Sequence, residues 1–190
     1  LGANVTFIDT KQPDGEMTRK FLDAGQNPPN GVVVAYYLKE KPENDVTLSF
    51  LDSAGAVIKT FSSKATEGKS TDDAREPYVR AEAGMNRFVW NMRYPDATRV
   101  PGDKSTEESL SGPLAPPGAY EVTLEAGGRS LAQSFDIVKD PRVSATQADF
   151  DAQFELLMKV RDRLSETHDA VNRLRSVKKQ VDEWVQRTKH

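Results

Sequence analysis

All 11 prolines and all 12 glycines of this 190-residue chain lie at or before Pro141. From Arg142 to His190 there is neither. Glycine and proline set turns and break helices, so their disappearance divides the chain into two kinds of structure. Before Pro141 short apolar runs alternate with turn residues, which predicts β-structure. After it nothing interrupts a helix.

Six runs carry the β reading: GVVVAYYL, VTLSFLD, VIKTF, RFVWNM, AYEVTLE and SLAQSFDIV. Phe88, Trp90 and Met92 share one parity, as do Tyr120, Val122 and Leu124. Such alternation places one face in a core and the other in water. These six residues are the expected structural core. Asp52–Gly55 and Gly127-Gly128 are the hairpin turns. Six or seven strands over about 110 residues suggest an immunoglobulin-like β-sandwich. Polar, turn-rich stretches at 62–77 and 95–118 interrupt it, and 95–117 reads as an insertion dispensable for folding.

The helical part has a start signal in Ser144 and Gln147, spaced as a capping box. Acidic residues precede basic ones, in the order that complements the helix dipole. Phe150, Phe154, Leu157, Val160, Leu164, Val171, Leu174, Val181 and Val185 form a heptad-like apolar seam. One helix of roughly 40 residues, about 60 Å long, is expected. A helical hairpin with a bend near Ser165–His168 is the alternative. The expected organisation is a linker or edge segment at 1–25, the sandwich at 26–140 and an amphipathic helical extension at 141–190.

Composition narrows the function. Lys and Arg number 26 against 29 Asp and Glu, a net charge of −3, so no nucleic-acid footprint is expected. No apolar run approaches the ~20 residues of a membrane span. The chain has no cysteine, which excludes a disulfide framework and a thiol nucleophile. The opening LGANVTFIDT lacks a signal pattern and reads as an internal piece of a longer polypeptide. Its Asn4-Val5-Thr6 triplet matches a glycosylation pattern that arises often by chance.

Enzymatic patterns are incomplete. GKST at 68–71 has Ser63 where a phosphate-binding loop needs glycine. There is no serine elbow and no EF-hand calcium loop. The Asp72-Asp73 and Glu107-Glu108 pairs sit in polar loops with nothing to shift a pKa. His168 is read as a surface or seam residue of the helix rather than a metal ligand. No catalytic residue, metal site or cofactor is expected.

The order of motifs nonetheless resembles a known arrangement. Asp52, Gly55 and Ile58 are followed by Gly84, Asn86 and Trp90, then by Pro117, Gly118, Tyr120, Val122 and Leu124. This is similar to the immunoglobulin-like module related to the flagellar hook-capping protein. With the NPP start, the WNMR run and DPR before a heptad helix, it resembles the C-terminal accessory region of bacterial sortilin-like BNR (Asp-box) repeat proteins, often labelled glycosyl hydrolase. The resemblance covers about residues 26–180. It implies an exported parent protein whose β-propeller lies elsewhere in the chain. It also implies a non-catalytic module that spaces or docks that propeller and associates through its helix. A homodimer through the helix is the expected association. The alternative is a carbohydrate-binding module using exposed aromatics such as Tyr36, Tyr78 or Tyr94.

Overall fold

The computed structural model describes residues 7–11, 17–21, 28–64, 77–103 and 110–188. The Asn4 triplet, GKST, Asp72-Asp73, Glu107-Glu108 and His190 lie outside them. The described residues are mainly β, in antiparallel sheets followed by one long C-terminal helix. The chain divides into two units, Leu1–Asn30 and Gly31–His190. The first holds a hairpin of β1 (Phe7–Lys11) and β2 (Met17–Phe21), in a stretch where a linker or edge segment was expected.

The second unit has six strands: β3 (Val32–Leu38), β4 (Thr47–Leu51), β5 (Val57–Ser62), β6 (Gly84–Trp90), β7 (Gly118–Ala126) and β8 (Arg129–Ile137). β3 pairs with β6, and the other four form a sheet in the order β5-β4-β7-β8. The chain therefore crosses between sheets after β3, after β5 and after β6. Two hairpins have the turns their residues dictate. At Asp52–Gly55 the Asp52 carboxylate accepts from the backbone N–H groups of Ala54 and Ala56, each at 2.9 Å. Gly127 and Gly128 both have positive φ, as a two-residue turn between twisted strands requires.

The two sheets meet through alternate residues. Tyr36, Leu38, Phe88 and Trp90 face Leu48, Phe50, Ile58, Phe61, Tyr120 and Val122, and all are buried. Phe50 and Trp90 stack at 4.5 Å between ring centres. Met92 and Leu124 are only partly buried against this cluster. The parity from Phe88 stops short of Met92 because β6 ends at Trp90, and Met92 adopts a left-handed φ of 59°. Asn86 is a buried polar residue. Its side-chain amide donates to the carbonyls of Glu82 and Gly84 at 2.7 and 3.1 Å, fixing the turn into β6.

Helix α1 (Gln147–Arg187) is one uninterrupted element of 41 residues. It runs through Ser165–His168 without the bend that a helical hairpin would need. Its cap lies two residues later than Ser144. Thr146 Oγ1 accepts from Asp149 N at 3.3 Å, and the Asp149 carboxylate accepts from Thr146 N at 2.8 Å. An Asp at the third helical position closes the box as a Glu or Gln would. The side chain of Gln147 instead donates to the carbonyl of Pro117 at 2.9 Å.

Tyr120 yields a test of the packed sheets. Its hydroxyl donates to the carbonyl of Pro116, four residues upstream, at 2.6 Å. Burial, helped by the proximity of Tyr94, Asp52 and Asp151, pushes its phenol up to about 12. An unfolded tyrosine titrates near 10. The fold thus favours the neutral phenol, so its contribution is intact below pH 10 and is lost as the pH rises toward 12. Chemical denaturation between pH 9 and 12 should show a stability decline that is shallower in Tyr120→Phe. Identical slopes would show that the buried phenol is not what titrates.

Candidate functional site

The stretch 95–117 was expected to be an insertion; its described residues, with Arg93 and Tyr94 before them, are built into the second unit. It leaves β6 and doubles back on itself. Ala115 N donates to Met92 O at 2.7 Å, Tyr94 N to Pro113 O at 2.9 Å and Ala97 N to Leu110 O at 2.8 Å. The Arg93 guanidinium donates to Gly112 O, and Gly112 N to the Asp96 carboxylate, both at 2.8 Å. A Cβ on Gly112 would stand 2.0 Å from Tyr94 O, so only glycine allows the two arms this close. Ala97, Val100, Leu110 and Ala115 are buried. The polar composition misled because backbone groups, rather than an apolar side-chain pattern, do the holding.

The outer arm, 95–101, has carbonyls without a strand partner, and α1 supplies their donors. Arg161 reaches Pro95 O at 3.3 Å. Ser165 Oγ accepts from Thr98 N at 3.1 Å. His168 Nδ1 donates to Thr98 O at 2.6 Å, Asn172 Nδ2 to Arg99 O at 2.9 Å, and Arg175 to Pro101 O at 2.8 Å. These helix residues recur at spacings of four, three, four and three, which keeps them on one face. His168 is the one buried residue of the helix. The signal was present in the sequence as a polar heptad, hidden beside the apolar one.

The apolar seam therefore divides: its early residues share the docked face, and its late residues do not. On a helix that turns about 100° per residue, the line of Leu174 and Val181 with Val177 and Trp184 is centred about 180° from the docked face. Phe150, Phe154, Leu164 and Val171 are partly buried in the chain's own fold. Phe154 packs on Tyr94 at 4.7 Å. Leu157, Val160, Leu174, Val181 and Val185 are exposed, and so are Leu156, Val177 and Trp184, which the expected seam omitted. Every residue from Arg173 to Thr188 is exposed. Leu174 and Trp184 are 71% and 68% exposed, which makes this end of the helix an uncovered apolar face.

At the other end, the helix and the returning arm bound a cleft of ≈ 390 Å³. Pro113, Leu114, Pro116, Phe150, Phe154 and Leu157 line it, with Arg93 and Arg161 at hand. Both guanidiniums are engaged with backbone carbonyls, so the cleft is apolar and holds no acid–base pair. Among the described residues no group of three or more His, Cys, Asp or Glu is placed to hold a metal ion. No described helix is long and apolar enough to cross a membrane.

Of the aromatics considered for sugar binding, Tyr36 is in the core and Tyr94 is partly buried against Phe154. Tyr78 is exposed, as is Tyr37 beside the buried Tyr36 on β3. No family model, curated protein or solved structure matches this chain.

His168→Ala should destabilise the second unit by about 1–3 kcal/mol, because it leaves the Thr98 carbonyl without its donor. Urea denaturation measures this directly. Replacing 95–117 by a short Gly-Ser connector should also raise amide exchange across helix residues 158–175. Unchanged exchange would mean that the helix is held by something other than the ladder of carbonyls.

Proposed function

We propose that this chain is a non-catalytic accessory and interaction module of a larger exported protein, of the β-propeller (BNR, sortilin-like) kind its motifs resemble. In this reading an immunoglobulin-like sandwich spaces or docks the propeller, and the helix makes the association. The strand order supports the sandwich assignment. β5-β4-β7-β8 against β3-β6 matches strands C′-C-F-G against B-E of that fold, with the same crossings between sheets. The hydrogen bond from Tyr120 back to Pro116 is the kind of tyrosine corner such sandwiches carry at their sixth strand.

One observation carries the functional reading. A helix of 41 residues, about 60 Å long, is docked as far as Arg175 and ends in turns with an uncovered apolar face. Contiguous exposed apolar surface of this kind marks contact sites. The test compares this chain with the longer protein. Limited proteolysis should cut first within 173–188 in the chain alone, leaving a fragment that ends near residue 172. In the longer protein those bonds should be protected severalfold. Equal cleavage rates in both would remove the reading.

A further inference from the structure

The distal turns of α1 carry an apolar seam whose charged flanking residues are all basic. Written as a heptad, Leu174 and Val181 fall at a, and Ala170, Val177 and Trp184 at d. The flanking g positions are then Arg173, Gln180 and Arg187, and the e positions Val171, Lys178 and Val185. Beyond Ala170 no acidic residue borders the seam; Glu166, at the g position before it, is paired with Arg163 at 2.7 Å. Asp182 and Glu183 fall at b and c, away from it. Among the described residues Arg173, Lys178 and Arg187 have no ion-pair partner. In paired helices the e and g residues set which partner is accepted.

Resting on the association proposed above, we infer that the occupant of this seam is a separate amphipathic helix with apolar a and d positions and acidic e and g positions, not a second copy of the chain. A second copy brings like charges together in either direction. Antiparallel pairing, with Leu174 opposite Trp184 of the copy, sets Arg173 against Arg187 and Lys178 against Lys178. Parallel pairing sets Arg173 against Lys178. The acidic early turns cannot relieve this, because their neighbours Phe150 and Phe154 line the cleft and are partly buried in the chain's own fold. The seam is also narrow, two residues per heptad, and Asp182 and Glu183 share the opposite face with the cations. That pattern fits a helix partner rather than an anionic membrane surface, which wants a broad apolar face.

The test uses the full 190-residue chain and two designed peptides of about four heptads, identical except for Glu or Lys at every e and g position. Trp184 emission is the readout, since Trp90 is fully buried. The Glu peptide should shift Trp184 emission to the blue, and its binding should weaken as salt rises from about 0.05 to 0.5 M. The Lys peptide should bind about tenfold or more weakly, the sum of three favourable pairs turned unfavourable. Arg173→Glu with Lys178→Glu and Arg187→Glu should reverse that order with no change in melting temperature. Light scattering of the chain alone should give its 21.1 kDa mass. Equal binding of both peptides would sink the charge rule while leaving helix association standing. A doubled mass that the Glu peptide does not dissociate would make a second copy the occupant. A blue shift with anionic vesicles and not with the Glu peptide would make it a membrane surface. A monomer that binds neither peptide would overturn both this inference and the association it rests on.

Discussion

The stack of Trp90 on Phe50 joins the two sheets, and the rest of the second unit is positioned from it. Both side chains are fully buried, at the centre of an aromatic cluster that includes Phe61, Phe88 and Phe135. Removing a buried ring of this size costs about 3–5 kcal/mol in comparable cores. Its polar edge matters as much. The indole Nε1–H donates to Arg93 O at 3.2 Å, three residues on. With Met92 in its left-handed conformation, that bond turns the chain out of β6. The Arg93 side chain then closes the returning arm at Gly112. The exposed carbonyls from Pro95 to Pro101 follow from this closure, and they are the surface on which the helix lies.

The helix has two faces with different physical demands. Irregular backbone near a core needs hydrogen-bond partners, because an unpaired buried carbonyl or amide costs about 1–3 kcal/mol. Ser165, His168, Asn172 and the two arginines meet that demand. Apolar side chains on that face would have left the arm unsatisfied. From Arg161 onward the apolar residues are thereby displaced to the flank, where Leu164 and Val171 are half-covered, and to the far side, where Leu174, Val177, Val181 and Trp184 are not covered.

The strands were legible because one-sided burial imposes alternation on the sequence, and Phe88, Trp90, Tyr120 and Val122 sit where that alternation puts them. The end of β6 was not legible. Met92 continues the parity, and nothing in its chemistry announces a positive φ. The packing of the arm at 95–117 was not legible for a related reason. Many of its contacts are made by main-chain groups, which every residue carries, and the helix side chains that meet them lie 66 to 74 residues later. The cap was misplaced by two residues because Ser144-Gln147 and Thr146-Asp149 present the same spacing, and the contact of Gln147 with Pro117 decides between them. Of the exposed face, Leu174, Val181, Val185 and the adjoining Trp184 were legible, whereas Val177 emerges only once the docked side is known.

The ladder also sets where the helix is stable on its own account. Its last rung is Arg175 on Pro101. Beyond it lie about three turns with no tertiary contact among the described residues, joined to a docked helix but supported only by propensity and by surface pairs such as Lys179–Glu183. Helical segments of that length are marginal in water, and exposed i,i+4 pairs contribute about 0.3–0.5 kcal/mol each. The docked turns act as a preformed nucleus, which removes the initiation cost and leaves propagation close to balance. A partner that covers Leu174, Val177, Val181 and Trp184 therefore orders turns already half-committed to helix, and little of its binding energy is spent on folding them.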